Sequence, residues 1–306
     1  MSSSEHHFVG CLKGLAIGDA YGASYEGGII ERSLWRLFGH TKHGKKRFTD
    51  DTQMSMDVAV SLLENNALNQ DHLAQEFAKH YTWSRGYGPA TASLLKGIRQ
   101  GKNWQDINRK QYKEGSMGNG AAMRSPIIAL WCHSKPSSIK EFVRKASEIT
   151  HAHPLAIEGA EIIATTTQFA LHGVPNIEIL KSIGSNCEAE VFKDKLNKCM
   201  EFLDKQDMPI QNIKRSLGNG MLATESCITA VYFGLKYREL KFEAMLDEIF
   251  NLGGDADTIG AMAGAIWGAS NGNETIDYLG ESVEDIDLIE KLANQLWNNY
   301  STQCQQ

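Results

Sequence analysis

Two short acidic segments near opposite ends of the chain carry its strongest chemical signal. They are Thr49-Asp50-Asp51-Thr52 and Asp255-Ala256-Asp257-Thr258, and each stands at the start of an apolar helical pattern. Carboxylate and hydroxyl oxygens suit a hard divalent cation such as Mg²⁺ or Mn²⁺, and not zinc or copper. If the fold brings the segments together, four carboxylates meet, and two such cations would neutralise their repulsion.

Helix capping is the alternative explanation for each segment. Asp and Thr side chains accept hydrogen bonds from the free amides at the start of a helix, and a carboxylate is also favoured by the helix dipole. One segment alone is as compatible with capping as with metal binding. The matched pair favours a binuclear Mg²⁺ or Mn²⁺ site.

The composition is that of an ordinary soluble globular protein, with 306 residues, 42% hydrophobic and 22% charged. A net charge of -6 argues against a general nucleic-acid or membrane-surface binder. The six cysteines form no CxxC motif, so we expect free thiols in a reducing compartment, the cytoplasm. The N-terminal residues show no secretion signal, and the apolar run at 259–269 is too short to span a membrane.

Helical periodicity covers most of the chain, whereas alternating strand patterns are scarce. The pattern predicts an all-α fold, one compact multi-helix domain over residues 1–306 with functional loops between its helices. The predicted helices are residues 8–23, 53–65, 71–81, 121–132, 137–149, 154–172, 188–203, 221–236, 241–250, 257–269 and 285–300.

Two of these helices carry glycine at every fourth position. In the first these are Gly10, Gly14, Gly18 and Gly22, and in the other Gly260, Gly264 and Gly268. Each glycine inside a helix costs about 1 kcal/mol relative to alanine. Close helix packing along a groove of small residues would offset that cost, so we expect both helices in a central layer beside the acidic site.

Several further segments could take part in chemistry. Glu26 follows the first glycine helix and is either a site carboxylate or a solvated residue at a helix end. Glycine-rich stretches precede apolar runs at residues 85–89, 115–120 and 217–220, where amides at a helix start could bind phosphate or simply form a turn. We interpret His151 as a hydrogen-bonding residue of a cleft and His153 as a turn residue.

These segments together resemble the ADP-ribosylglycohydrolases, the family of the dinitrogenase-reductase-activating glycohydrolase and the eukaryotic ADP-ribosylhydrolases. The matching segments keep the family order over nearly the whole chain. They are residues 14–26 (GLAIGDAYGASYE), 48–54 (FTDDTQM), 118–124 (GNGAAMR), 150–154 (THAHP), 218–220 (GNG) with Glu225, and 253–260 (GGDADTIG). Motifs around Glu26 and Gly86 resemble the branch that hydrolyses serine-linked ADP-ribose and poly(ADP-ribose).

The resemblance implies an all-α fold and a hydrolase with two Mg²⁺ or Mn²⁺ ions. The implied metal ligands are Thr49, Asp50, Asp51, Asp255, Asp257 and Thr258, and the implied catalytic residue is Glu26. Substrate contacts fall on Gly86, Gly88, Ser116, Met117, Gly118, Asn119, Gly120 and His151. Met117 stands where the family often has an aromatic residue that stacks on adenine.

The expected reaction is hydrolysis of a glycosidic bond to ADP-ribose, through an oxocarbenium-like transition state. The expected partner is an ADP-ribosylated protein or an ADP-ribose-bearing small molecule, without direct contact to nucleic acid or membrane. Two alternatives stay open: a silent structural protein, like the crystallins of this superfamily, and a hydrolase of another nucleotide or glycoside.

Overall fold

The computed structural model describes residues 4–27, 32, 35, 38–205 and 207–303, and in these residues every regular element is a helix. The α-helices are α1 Glu5–Gly22, α2 Asp50–Asn65, α3 Gln70–His80, α4 Pro89–Arg99, α5 Trp104–Ile107, α6 Ser125–Trp131, α7 Ile139–Glu148, α8 Pro154–Leu171, α9 Asn176–Asn186, α10 Glu190–Leu203, α11 Ile210–Ser216, α12 Ala223–Lys236, α13 Phe242–Leu252, α14 Ala256–Asn271, α15 Asp277–Gly280 and α16 Ile286–Gln303. Short 3₁₀ helices occur at Trp83–Arg85, Asn119–Ala121 and Pro136–Ser138. The all-α prediction is confirmed.

Every helix predicted from periodicity overlaps an observed helix, but the sequence pattern missed several others. The longer ones are α4 and α9, and the shorter ones are α5, α11 and α15. Glycines at positions 97 and 184 interrupt the apolar pattern of α4 and α9, although both helices continue through them. The predicted helix at 121–132 begins only at Ser125, because the residues before it form a 3₁₀ turn.

The two glycine-bearing helices, α1 and α14, pack directly against each other in opposite directions. Gly10 faces Gly268, Gly14 faces Gly264 and Gly18 faces Gly260, and a Cβ at any of these positions would collide with the opposite backbone. Every residue of α14 from 256 to 269 is buried. The predicted close approach is therefore confirmed, and α1 and α14 form the centre of the core.

The antiparallel arrangement places the end of α1 beside the start of α14. A Cβ at Gly22 would lie 2.5 Å from the Cα of Asp257. Helices α8 and α12 pack on α14, and α16 packs on α1. The core thus fixes the start of one acidic segment relative to the loop that carries Glu26.

The described cysteines, at positions 11, 132, 187, 199 and 227, are buried free thiols, as predicted. Cys304 lies outside the described residues. None of the helices in the described ranges has both the length and the hydropathy of a membrane-spanning segment.

Candidate active site

The first acidic segment starts helix α2 and is held by a buried carboxylate from another helix. Asp19, on α1, accepts hydrogen bonds from the backbone amides of Thr49 and Thr52, each at 3.0 Å. It also accepts one from the Thr52 hydroxyl. The Thr49 hydroxyl accepts from the Asp51 amide at 3.3 Å. Because Asp19 and Thr49 satisfy these amides, the side chains of Asp50 and Asp51 are not used as helix caps.

The second acidic segment starts helix α14 and is held by two asparagines. The Asp255 amide donates to the Asn219 backbone oxygen at 2.9 Å, and the Asn119 side-chain amide donates to Asp255 Oδ2. Gly254, with φ of +79°, precedes Asp255, and a Cβ there would collide with Asn219. Asp255 occupies the N-cap position of α14 without making a side-chain cap.

The fold brings the two segments and Glu26 to one place. The Thr258 hydroxyl donates to Asp51 Oδ1 at 3.3 Å, which joins the segments directly. Carboxylate oxygens of Glu26, Asp255 and Asp257 lie within 4.8 Å of one another. Asp51, Asp255 and Asp257 are almost fully buried, and Asp50 and Glu26 are half-buried.

Burial and mutual repulsion raise the pKa values of these carboxyl groups. Burial raises the pKa of Asp50 and Asp51 well above the usual value, and the nearby charges of Asp19 and Asp255 raise it further. The pKa of Asp257 is likewise raised well above normal by burial and by Glu26. Burial and Glu26 raise the pKa of Asp255 to about 7, although the hydrogen bond from Asn119 opposes the shift.

The observed groups fit one or more hard divalent cations. Within the described residues, Asp51 Oδ2 is buried and has no hydrogen-bond partner, so it is available as a ligand. The surrounding donors are carboxylate and hydroxyl oxygens, the kind that Mg²⁺ and Mn²⁺ prefer. A bound cation would also remove the repulsion that raises these pKa values.

The acidic groups line one part of a cleft of about 840 Å³, which is large enough for a nucleotide. All the predicted substrate-contact residues line it: Gly86, Gly88, Ser116, Met117, Gly118, Asn119, Gly120 and His151. Of the predicted metal ligands, Asp50, Asp51, Asp255, Asp257 and Thr258 also line the cleft, whereas Thr49 lies beneath it and is buried.

The His151 ring lies against the glycine-rich loop, and only glycine fits beside it. A Cβ at Gly120 would lie 2.5 Å from His151 Cε1, and one at Gly118 would lie 3.2 Å from Nε2. Arg124 donates to Thr150 Oγ1 at 2.8 Å, and this hydroxyl shares a hydrogen bond with His151 Nδ1 at 2.7 Å. Burial and the Arg124 charge lower the pKa of His151 to about 3, so the imidazole is neutral near pH 7. His153 forms the N-cap of α8, in agreement with its interpretation as a turn residue.

The side chain of Asn119 contacts a candidate metal ligand, a role that no sequence motif indicated. Its side-chain amide donates to Asp255 and to Ser226 Oγ, the latter at 2.9 Å. Its backbone amide donates to the Met221 oxygen at 3.0 Å. The side chain therefore orients a candidate metal ligand, and the residue was predicted only as a substrate contact.

Further cleft residues were missed because they carry no motif. Tyr112 and Met221 line the cleft, and both side chains are exposed, Tyr112 by 49%. An exposed tyrosine in a loop after a helix is common, and only the fold shows that this one lines the cleft.

Glu26 lies in the loop after α1, four positions beyond its last residue, Gly22. The adjacent Tyr25 stacks on Phe250 of α13, with ring centroids 4.3 Å apart and planes 6° from parallel. This stack fixes the backbone next to Glu26.

Known proteins are similar to this chain in sequence and fold. The chain matches the ADP-ribosylglycohydrolase family over residues 1–306. It is 32% identical to ADP-ribosylhydrolase ARH3 of Gallus gallus, over 98% of this chain and 94% of the relative. It is 28% identical to the ADP-ribosyl-dinitrogen reductase glycohydrolase of Rhodospirillum rubrum, over 88% and 86% of the two chains. A solved ADP-ribosylglycohydrolase-related protein complex superposes with a TM-score of 0.71 at 25% identity, covering 96% of this chain and 98% of the other.

Proposed function

Because the chain belongs to the ADP-ribosylglycohydrolase family, we propose that it hydrolyses a glycosidic bond to ADP-ribose with the help of two divalent cations. The observation that carries this proposal is the meeting of both acidic segments and Glu26 at one part of a nucleotide-sized cleft. The substrate would be an ADP-ribosylated protein, with a serine linkage favoured by the motifs around Glu26 and Gly86, or a small ADP-ribose conjugate. The free cysteines are consistent with an intracellular location.

The two cations would be held by Thr49, Asp50, Asp51, Asp255, Asp257 and Thr258. When bound, Mg²⁺ or Mn²⁺ would orient the ribose hydroxyls and lower the pKa of a water. Asp19 and Asn119 would keep the ligand side chains in place through the hydrogen bonds described above.

Glu26 would perform the proton transfer of the reaction. The bond that breaks joins C1 of the distal ribose to the leaving group, and the ribose passes through an oxocarbenium-like state. A carboxyl group within reach of both the attacking water and the leaving oxygen can accept a proton from one and give it to the other. Glu26 lies beside Asp255 and Asp257, where this sugar carbon would be held.

The rest of the cleft would bind the diphosphate and the adenosine. Backbone amides of Ser116 and Met117 in the glycine-rich loop would donate to phosphate oxygens, whereas the amides of Gly118 and Asn119 already have partners within the protein. Neutral His151, fixed through Thr150, would supply a further hydrogen bond without adding charge. Tyr112 offers an aromatic face for the adenine ring, a role that Met117 alone would fill less well.

An activity assay with defined substrates tests this function. Serine-, arginine- and O-acetyl-linked ADP-ribose and poly(ADP-ribose) are each incubated with the protein and Mg²⁺ or Mn²⁺, and released ADP-ribose is measured. We expect release from the serine-linked substrate above all, and none after chelation or in an Asp257→Ala control. No release from any substrate with either metal would contradict the proposal and favour the structural, crystallin-like alternative.

A further inference from the structure

Two aromatic side chains protrude from the surface near the acidic part of the cleft. Trp83 is 82% exposed and Phe38 is 66% exposed, the two largest values among the large apolar side chains of the described residues. Single exposed apolar residues are common on soluble proteins, whereas exposed apolar patches mark binding sites, and tryptophan is enriched in protein-binding hot spots.

Arg47 joins these two aromatic residues into one surface. Its guanidinium donates to the Phe38 backbone oxygen at 3.4 Å and to the Ser84 hydroxyl at 3.2 Å. Ser84 follows Trp83 in the same 3₁₀ turn. We call the area formed by Phe38, Trp83, Arg47 and two lysines of the loop between Phe38 and Arg47, Lys42 and Lys45, the Trp83 surface.

The Trp83 surface is positively charged on a protein whose net charge is -6. Lys42 and Lys45 lie in a tight loop. A hydrogen bond of 2.8 Å from the Thr41 amide to the Lys45 backbone oxygen closes this loop. Neither lysine, nor Arg47, forms an ion pair with a carboxylate of the described residues. Such unpaired cations on an otherwise acidic protein attract an acidic partner.

This surface adjoins the acidic part of the cleft. The turn Trp83–Arg85 leads directly into Gly86, where a Cβ would lie 3.6 Å from Asp50 Oδ1. The Arg85 guanidinium donates to the Phe48 backbone oxygen at 2.6 Å, which fixes the turn to the start of the first acidic segment. The turn that carries Trp83 therefore lies next to the first acidic segment.

We propose that the Trp83 surface binds the protein part of the substrate, an acidic peptide segment that flanks the ADP-ribosylated residue. The inference rests on the proposed function, which places the scissile bond among Glu26 and the two acidic segments, next to the turn that carries Trp83. An apolar side chain of the peptide would pack on Trp83, and its Asp or Glu residues would lie against Lys42 and Lys45. A small conjugate without a peptide would not use this surface.

Steady-state kinetics test the inference with three substrates. These are serine-ADP-ribosylated peptides with acidic or with basic flanking residues, and O-acetyl-ADP-ribose. For Trp83→Ala and for the double variant Lys42→Glu/Lys45→Glu, we expect KM for the acidic peptide to rise about tenfold with kcat nearly unchanged. Both constants for O-acetyl-ADP-ribose should stay at the wild-type values.

The matched controls change residues that do not line the cleft. Leu240→Ala removes an apolar side chain that is 53% exposed, and Lys214→Glu/Arg215→Glu reverses two charges on α11. Both controls should behave as wild type with every substrate. If wild type treats acidic and basic peptides alike, or if the Trp83 variants match these controls, the inference is wrong.

A binding measurement separates this inference from the proposed function, because it needs no turnover. Fluorescence anisotropy of a labelled, unmodified acidic peptide should show salt-dependent binding that Trp83→Ala weakens and Leu240→Ala does not. Such binding without any ADP-ribose release would contradict the proposed function and would still support the peptide-binding role of the Trp83 surface. ADP-ribose release without this peptide binding would contradict the peptide-binding role of the Trp83 surface and would leave the proposed function intact.

Discussion

The two acidic segments have similar sequences and are held in place by different means. A buried charge from α1, Asp19, satisfies the free amides of the first segment. Neutral amide groups of Asn119 and Asn219 hold the second. The first support keeps Asp50 and Asp51 from capping their own helix, and the second turns a single carboxylate, Asp255, toward the site.

Hydrogen bonds to the start of the helices account for some side-chain oxygens of the two segments and not for others. The Thr49 hydroxyl does cap α2, and Asp257 Oδ1 accepts from the Thr258 amide at 2.9 Å. Asp51 and Asp255 make no cap, and Asp51 Oδ2 has no partner in the described part of the chain. Capping therefore explains part of each segment and leaves several carboxylate oxygens free for ions.

The largest expected effect comes from removing one carboxylate of each segment in turn. Asp257→Ala and Asp51→Ala should each nearly abolish ADP-ribose release and leave the helical circular-dichroism signal intact, because both are proposed to hold metal. Full activity in either variant would remove that segment from the proposed metal site.

Glu26→Gln should lower turnover by about 10²–10⁴-fold, the usual scale for an acid/base group. The amide keeps the size of the side chain but cannot exchange a proton in the same way. Calorimetric ADP-ribose affinity and single-turnover hydrolysis are measured on the same protein. If affinity is lost with no separate chemical defect, Glu26 organises the metals or the loop instead.

Asp19→Asn tests the support of the first segment. The variant retains the size of the side chain, but its NH₂ group faces donors of Thr49 and Thr52 that now donate to the Asp19 carboxylate. The free energy of unfolding should therefore fall by about 3 kcal/mol. Urea denaturation measures the loss. A stability within 0.5 kcal/mol of wild type, about the usual range for a surface substitution, would show that Asp19 is not the support.

Asn119→Ala tests the support of the second segment. The fold should be retained, and metal affinity should fall by about 10–100-fold, because an outer-sphere hydrogen bond to a ligand is lost. Isothermal titration with Mn²⁺ measures this affinity. Unchanged affinity together with weaker ADP-ribose binding would return Asn119 to the role of a substrate contact alone.

The smallest effect is a pH-dependent response to chelation. Raised pKa values mean that the metal-free folded protein keeps protons that the unfolded chain has released. The resulting stability is present at low pH and is lost as pH rises from about 4 through 7. Metal binding offsets this loss.

Calorimetric scans at two pH values measure the response. Chelation should lower Tm by about 5 °C at pH 8 and by less at pH 6, and Mg²⁺ should restore it. An equal shift in Tm at both pH values would contradict the repulsion between carboxylates that the structure indicates.

Local sequence accounts for the helical character of the chain and for the residue types of the candidate site. Periodic apolar residues specify helices locally, and carboxylates beside threonines supply the oxygen ligands that hard cations prefer, although one such segment alone is equally compatible with helix capping. The glycine repeats in α1 and α14 predicted a close contact between helices, because a penalty on so many helical positions needs compensation.

Which groups meet depends on the tertiary structure. Asp19 supports the first segment, Asn119 orients Asp255, and Tyr112 and Trp83 lie in or beside the cleft, yet none of these four roles follows from neighbours in sequence. Each depends on a contact between segments distant along the chain. Such contacts depend on how whole helices pack, and the local periodicity of the sequence does not specify that packing.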